Sequence, residues 1–271
     1  MKTIDLNQVS LIDTKATSSK GNQLKWLVRN VWYKADHMGY EGLCEVVISK
    51  LLEKSNIESY VSYSPIRILF DNREWNGCYS KNFRQKNESI VTLEHLSKQW
   101  LANSMAKELL RYDEPKEKIC HTVDFIEKVT GLKEAGGYLT TMLEMDAFFL
   151  NEDRHTNNIA FILNDDTGKY RYCPYFDFGL SFLADTTVDF SLGGDIYSDI
   201  NRIHAKPFDR DFDAQLDAAQ ELYGGHLRFS FTNQDIEAVF SEVEEYYTPE
   251  IITRVKDLLY HQKHKYQYLF T

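Results

Sequence analysis

The chain is poor in residues that break or cross-link a fold. Of its 271 residues only 5 are proline and 13 glycine, which excludes collagen-like and low-complexity chains and leaves room for long ordered elements. Four cysteines occur, at Cys44, Cys78, Cys120 and Cys173, and none sit as Cys-x-x-Cys. With no His pair to complete a zinc pattern, they read as free thiols in a reducing compartment. No apolar run approaches the roughly 20 residues that span a bilayer. The opening MKTIDLNQVSLIDTK lacks the apolar stretch of a signal peptide. A cytoplasmic protein with no membrane partner is therefore expected, unless a secretion system delivers it to a host. Positive charge is also short, with 31 Lys and Arg against 41 Asp and Glu for a formal net charge of −10. Sequence-independent nucleic-acid binding needs basic groups that displace phosphate counterions, so no direct nucleic-acid binding is expected.

What is present is a globular composition, 43% hydrophobic and 14% aromatic. Residues 24–28 and 31–34 read as strands around a tight turn at Arg29-Asn30. Leu43, Val47 and Leu51 recur at helical spacing, so residues 40–54 read as a helix. Residues 60–70 and 77–83 read as strands around the polar turn 71–74, completing a small antiparallel sheet with one helix. From Thr92, a good N-cap, the pattern turns helical: to about Leu110, then 116–130 stopped by Gly131, then 138–150 entered after Gly136-Gly137. A hairpin follows, with strands 159–163 and 170–176 around the turn 164–168. Residues 181–206 read as irregular. Thr232 to Asp235 resembles a capping box, and Thr248-Pro249 opens a last helix. The expected organisation is α+β and two-lobed: a small mixed lobe at 1–86 and a mainly helical lobe at 87–271.

The informative stretch is Leu150-Asn-Glu-Asp-Arg-His-Thr-Asn-Asn158, followed by Phe176-Asp-Phe-Gly179. Each piece alone reads equally well as a helix-end ion pair or a turn after a strand. In order and joined by a hairpin they mean more, because a hairpin returns the chain to where it left and so brings Asp177 back toward Asn158. Phosphoryl transfer asks for Mg²⁺ held by hard oxygen ligands and a carboxylate that orients the acceptor hydroxyl. Asn158 and Asp177 suit the metal, and Asp153 suits the catalytic carboxylate, at the Asp-x-x-x-x-Asn interval of the protein-kinase catalytic loop.

Three further parts should lie upstream. Ala16-Thr-Ser-Ser-Lys-Gly-Asn22 fits a phosphate-binding turn, with Ser18, Ser19, Gly21 and Asn22 offering hydroxyls and close backbone approach, although alone it reads as a plain polar loop. Lys34, at the end of Val31-Trp-Tyr-Lys34, is the candidate for the α/β-phosphates, or else a surface lysine at a strand end. Glu41 and Glu45 lie one helical turn apart, and either could hold that lysine; Glu45, set among Leu43, Val46 and Val47, is preferred because a carboxylate there needs a partner. Arg154 reads as the partner of a phosphate or, by preference, of a nearby carboxylate, His155 as a residue that orders the loop, and Asp146 as a cap or backbone acceptor. His261 and His264 read as a solvated helix face.

Residues 151–158 and 176–179, with the helix Tyr40-Glu-Gly-Leu-Cys-Glu-Val-Val-Ile-Ser-Lys-Leu-Leu52, resemble the HipA-like serine/threonine kinases of bacteria, several of which are toxins. Asp-Arg-His-x-x-Asn before Asp-Phe-Gly is also similar to phosphatidylinositol kinases. The resemblance spans about residues 15–225 and is specific at 146–179. It implies ATP and Mg²⁺ as cofactors, Asp153 as catalytic base, Asn158 and Asp177 as metal ligands, Lys34 as the phosphate lysine with Glu45 as its partner, and residues 77–83 near the hinge that meets adenine. It implies a protein Ser/Thr acceptor and an antitoxin or other regulatory partner. The chain resembles the shorter family members, which lack an extra N-terminal subdomain, and its phosphate loop departs from the family pattern. Two other readings stand beside this one: a lipid or small-molecule kinase, which the negative charge disfavours, and a nucleotide-binding pseudokinase module, disfavoured by the joint presence of Lys34, Asp153, Asn158 and Asp177.

Overall fold

Two-residue turns set the first sheet. The computed structural model describes residues 1–10 and 23–270. Strands β2 (Lys25–Val28) and β3 (Val31–Ala35) meet at Arg29-Asn30, both with positive φ (47° and 65°), as a tight hairpin matching the strand twist requires. Strands β4 (Ser64–Phe70) and β5 (Arg73–Lys81) meet in the same way at Asp71-Asn72 (53° and 56°). The turn is thus two residues shorter than the sequence suggested, with Arg73 already paired to Phe70. The sheet order is β1-β4-β5-β3-β2, and β1 (Thr3–Asp5) runs parallel to β4. That parallel edge corrects the expected all-antiparallel sheet; the alternation within each strand could not reveal the direction of its neighbour.

Period-two alternation then divides the residues between faces. Ala35 joins Trp26, Ile66, Ile68 and Leu6 in a buried cluster. Lys34, one position earlier, points to the opposite face, opposite Cys78 in register. Helix α1 (Glu41–Leu52) packs against β3, β4 and β5 and is buried on nearly every side. Its approach is close: a Cβ on Gly42 would lie 2.7 Å from the Gly77 backbone, and one on Gly77 would lie 2.1 Å from the Lys34 carbonyl oxygen. Glycine at these two positions permits the contact.

The helical part contains a second, three-stranded antiparallel sheet, β6-β7-β8, from β6 (Glu88–Thr92), β7 (Ala160–Asn164) and β8 (Tyr170–Tyr172). β6 was not expected: three of its five residues are polar, and only pairing with β7 across the chain makes it a strand. Thr92 caps α2 (Leu93–Leu101) by accepting from the His95 N–H at 3.1 Å. The expected continuation to Leu110 is interrupted at Ala102, in the left-handed region (φ 53°), before α3 (Met105–Leu109). Helix α4 (Pro115–Thr130) starts on proline and ends at Gly131 (φ 72°). Helix α5 (Ala135–Phe149) contains Gly136 and Gly137 rather than following them. A Cβ on Gly136 would lie 2.3 Å from the Tyr223 ring, so that glycine admits α7 (Phe212–Tyr223). The region read as irregular holds a short helix, α6 (Ile196–Ile200). Two more helices, α8 (Asn233–Ser241) and α9 (Pro249–Lys265), carry the expected capping box and N1 proline.

The compact units are discontinuous in sequence. One takes residues 1–82, 176–203 and 228–271; the other takes 83–175 and 204–227. No helix among the described residues is long and apolar enough to cross a membrane.

Candidate active site

In the first unit the site is built around Lys34. Strand β3 presents it, 7% exposed, to α1 and to the turn at Asp177. Its Nζ donates to Glu45 Oε1 at 2.5 Å and to Asp177 Oδ1 at 2.8 Å. The ring of Tyr63 lies 5.2 Å from the same nitrogen. Burial works to lower the Lys34 pKa, but Asp177 and Glu45 outweigh it and hold the ammonium well above its ordinary value. Glu45 is fully buried, and its second oxygen accepts the Phe178 N–H at 3.1 Å. One glutamate thus fixes both the lysine and the backbone of Asp-Phe-Gly. Asp177 itself has φ 64°. The chain beyond it is tied to α1 and the turn before it: Tyr40 donates its hydroxyl to the carbonyls of Phe182 and Leu183 at 2.6 and 3.0 Å, and the Cys44 thiol to that of Ser181 at 3.2 Å. Lys25 places a second ammonium 3.9 Å from Asp177 Oδ1.

Glu41 does not partner Lys34. Its carboxylate accepts from the N–H groups of His37, Met38 and Gly39 at 2.7–3.2 Å, closing the turn before α1. Asp36 accepts from Gly42 N–H at 2.5 Å and from the Tyr247 hydroxyl at 2.9 Å. Burial, then the neighbouring Glu41 charge, pushes the Asp36 carboxyl well up.

In the second unit the loop after α5 is held by a buried acid. Leu150 turns the chain at φ 55°. Asp146 accepts from Asn151 Nδ2 at 2.7 Å and from Arg154 Nε and Nη2 at 2.9 and 3.1 Å. Both members of this pair are buried. Burial raises the Asp146 pKa even against the guanidinium. Asp146 was read as a cap or backbone acceptor; its carboxylate instead binds side chains. Arg154 also donates to the Asn158 carbonyl at 2.9 Å, and Asn158 Nδ2 donates to the Asp153 carbonyl at 2.8 Å. His155 accepts the Asn157 N–H at 3.2 Å, and its Nε2 lies 3.7 Å from Asp153 Oδ2. The Asp153 carboxylate is largely buried, with Lys206 Nζ 3.3 Å from Oδ1.

Lys34, Glu45 and Asp177 are therefore brought together in one unit, and Asp153 and Asn158 in the other. Ser18, Ser19, Gly21 and Asn22, the candidate phosphate turn, lie outside the described residues. Sequence reasoning missed Lys206, which sits over 50 residues from Asp153 in an irregular stretch with no periodic signal. It also missed Asp36, whose polar partners come from α1 and from Tyr247.

No family model and no curated protein matches this sequence. Among solved structures, the chain is similar to the crystal structure of a Helicobacter pylori proinflammatory kinase, CtkA, with a TM-score of 0.62 over 97% of this chain and 94% of that one, at 14% identity. The fold is kinase-like. At that identity the likeness is one of fold, and the chemistry has to be argued from this chain's own residues.

Proposed function

We propose that the protein is an ATP- and Mg²⁺-dependent phosphotransferase that acts on serine or threonine of a protein. The observation that carries this reading is Lys34, buried between Glu45 and the aspartate of Asp-Phe-Gly, in a kinase-like fold. An ammonium held by two carboxylates keeps its charge and its aim, as a group that meets the α/β-phosphates must. The same pairing ties Asp177 to the phosphate lysine. Asp177 and Asn158 bring a carboxylate and an amide oxygen, the hard donors that Mg²⁺ takes. Asn158 fits this part because its Nδ2 is already engaged with the Asp153 carbonyl, which leaves Oδ1 as the donor atom for a metal. Asp177 and Asn158 would hold Mg²⁺, which would supply charge neutralisation at the nucleotide phosphates. Asp153 accepts the acceptor hydroxyl's proton as the new O–P bond forms, and the γ-phosphorus leaves the β–γ bridging oxygen, whose electron pair departs with ADP. Lys206, 3.3 Å from Asp153, would offer positive charge to the transferred phosphoryl group.

The test is transfer from γ-labelled ATP to a protein acceptor, with vesicles and small polyols as competing acceptors. Asp153→Asn should keep nucleotide binding and lower transfer by about 10²-fold or more. Asp177→Asn should abolish the Mg²⁺ dependence of nucleotide binding. Label appearing on lipid alone would move the assignment to a lipid kinase. ATP bound by wild type with no turnover on any acceptor would leave a binding module instead.

A further inference from the structure

The helical unit contains a cavity of ≈ 560 Å³ that shares no residue with the 150–158 loop. Tyr138, Tyr172, Tyr175 and Tyr223 line it, with Glu127 and Glu134. Tyr138 stacks on Tyr172 with ring centroids 4.4 Å apart and on Tyr175 at 5.0 Å. The hydroxyls of these three rings donate to backbone carbonyls of Cys173, Lys133 and Tyr138. The rings are therefore fixed in place, and their hydroxyl protons are already committed.

The basic side chain in the cavity wall is His226, whose Nε2 lies 3.0 Å from the Tyr223 carbonyl oxygen. No lysine or arginine lines the cavity. Among the described residues none forms an ion pair with Glu127 or Glu134. Glu134 occupies the N-cap position of α5, yet its side chain makes no capping bond; Glu127 accepts the Ala135 N–H instead, at 3.2 Å. Burial, with Glu127 and Glu134 beside it, pushes the Tyr172 phenol up to about 12, as a negative local potential requires.

We propose that this cavity binds an organic cation, an alkylated ammonium group seated against the tyrosine rings and paired with Glu127 and Glu134. Aromatic rings and carboxylates attract the same sign of charge, and ring carbon tolerates methyl groups that have little hydration to lose. A bare divalent ion asks for converging oxygens instead of rings. Glu127 is half-buried and Glu134 exposed, and a neutral ligand would gain no Coulomb attraction from either. The assignment is independent of the kinase reading.

Choline and acetyl-trimethyl-lysine amide are the probes, titrated against protein with labelled tyrosine rings and followed by NMR. The neutral isostere 3,3-dimethylbutanol and equal ionic strength of sodium chloride are the controls. Saturable ring shifts are expected with at least one cationic probe, and the tighter of the two tells whether the cation is free or carried on a peptide. Binding of the neutral isostere should be about tenfold weaker or worse. Glu127→Gln with Glu134→Gln, which keeps the acceptor for Ala135 N–H, should remove most of that difference while the melting temperature holds. The proposal is overturned if neither cation gives saturable shifts, if the isostere binds as well as choline, or if the double variant binds like wild type.

Discussion

Lys34 holds two carboxylates on one ammonium, and Glu45 of that trio is wholly buried. Removing one partner of a buried pair leaves an uncompensated charge. Lys34→Met should therefore abolish transfer and also destabilise the protein by about 3–5 kcal/mol in urea unfolding, a larger loss than a surface lysine gives. Lys206 makes the opposite case. Its side chain is 36% exposed, so its pair with Asp153 adds little to stability. Lys206→Ala should leave the urea midpoint almost unmoved and lower transfer severalfold, with Lys206→Arg recovering part of it. A parallel loss of stability and turnover would make Lys206 a structural residue. At this scale the order Asp153, Asn158, Asp177 is a pattern of the sequence itself, since its members stand close in the chain. Glu45 over Glu41 was readable from burial alone, since an acid between valines and leucines needs a cation. Lys206 and Asp36 were not, because their partners come from remote segments.

Among the elements, the contact of α1 with β5 decides where Glu45 sits. In isolation Gly42→Ala would favour the helix by about 1 kcal/mol. In the protein its Cβ would meet Gly77 backbone at 2.7 Å and Asp36 Oδ1 at 2.8 Å. Overpacking of that kind costs about 1–3 kcal/mol. Gly42→Ala should thus destabilise in circular-dichroism melts and weaken ATP binding through Glu45; a gain in stability would show that α1 has slack against the sheet. Element ends were legible wherever the chemistry is local. Thr92, Gly131, Thr232 and Pro249 cap or start helices as their side chains and φ preferences dictate. Elements made by pairing with remote segments were not legible. β6 and the parallel β1 exist through partners at 160–164 and 67–69. Gly136 looked like a helix entry because a glycine that admits a neighbouring ring reads the same as one that ends a helix.

Over the whole molecule, buried carboxylates shape the response to pH. Asp36, Glu41, Glu144 and Asp146 all have pKa values raised first by burial. A raised folded-state pKa means that the native state binds the proton more tightly, so stability falls as pH climbs from the unfolded carboxylate value through the folded one. Glu88 is lowered by its bond to Arg171. Glu94 is also lowered, since bonds from Ser104, Thr156 and Lys98 overcome its burial. Groups of that kind add stability above the unfolded pKa that is lost as pH falls through the folded one. The denaturation midpoint should accordingly rise from neutral pH to about 5 and fall below about 4. Asp36→Asn keeps the Gly42 acceptor and should flatten the upper limb, as read by urea titration across pH; an unchanged limb would show that Asp36 is charged at no cost in the native state.

The sequence by itself determined the α+β class, the helix caps, the hairpins and the order Asp153, Asn158, Asp177, because periodicity, turn chemistry and short spacings act within a few residues. Only the tertiary structure decided that the compact units are discontinuous, that Asp36 meets the Tyr247 hydroxyl, and that Lys206 stands beside Asp153. Each of these depends on burial and on contacts between segments tens to hundreds of residues apart, and a linear pattern holds no record of which distant group will desolvate or neutralise a charge.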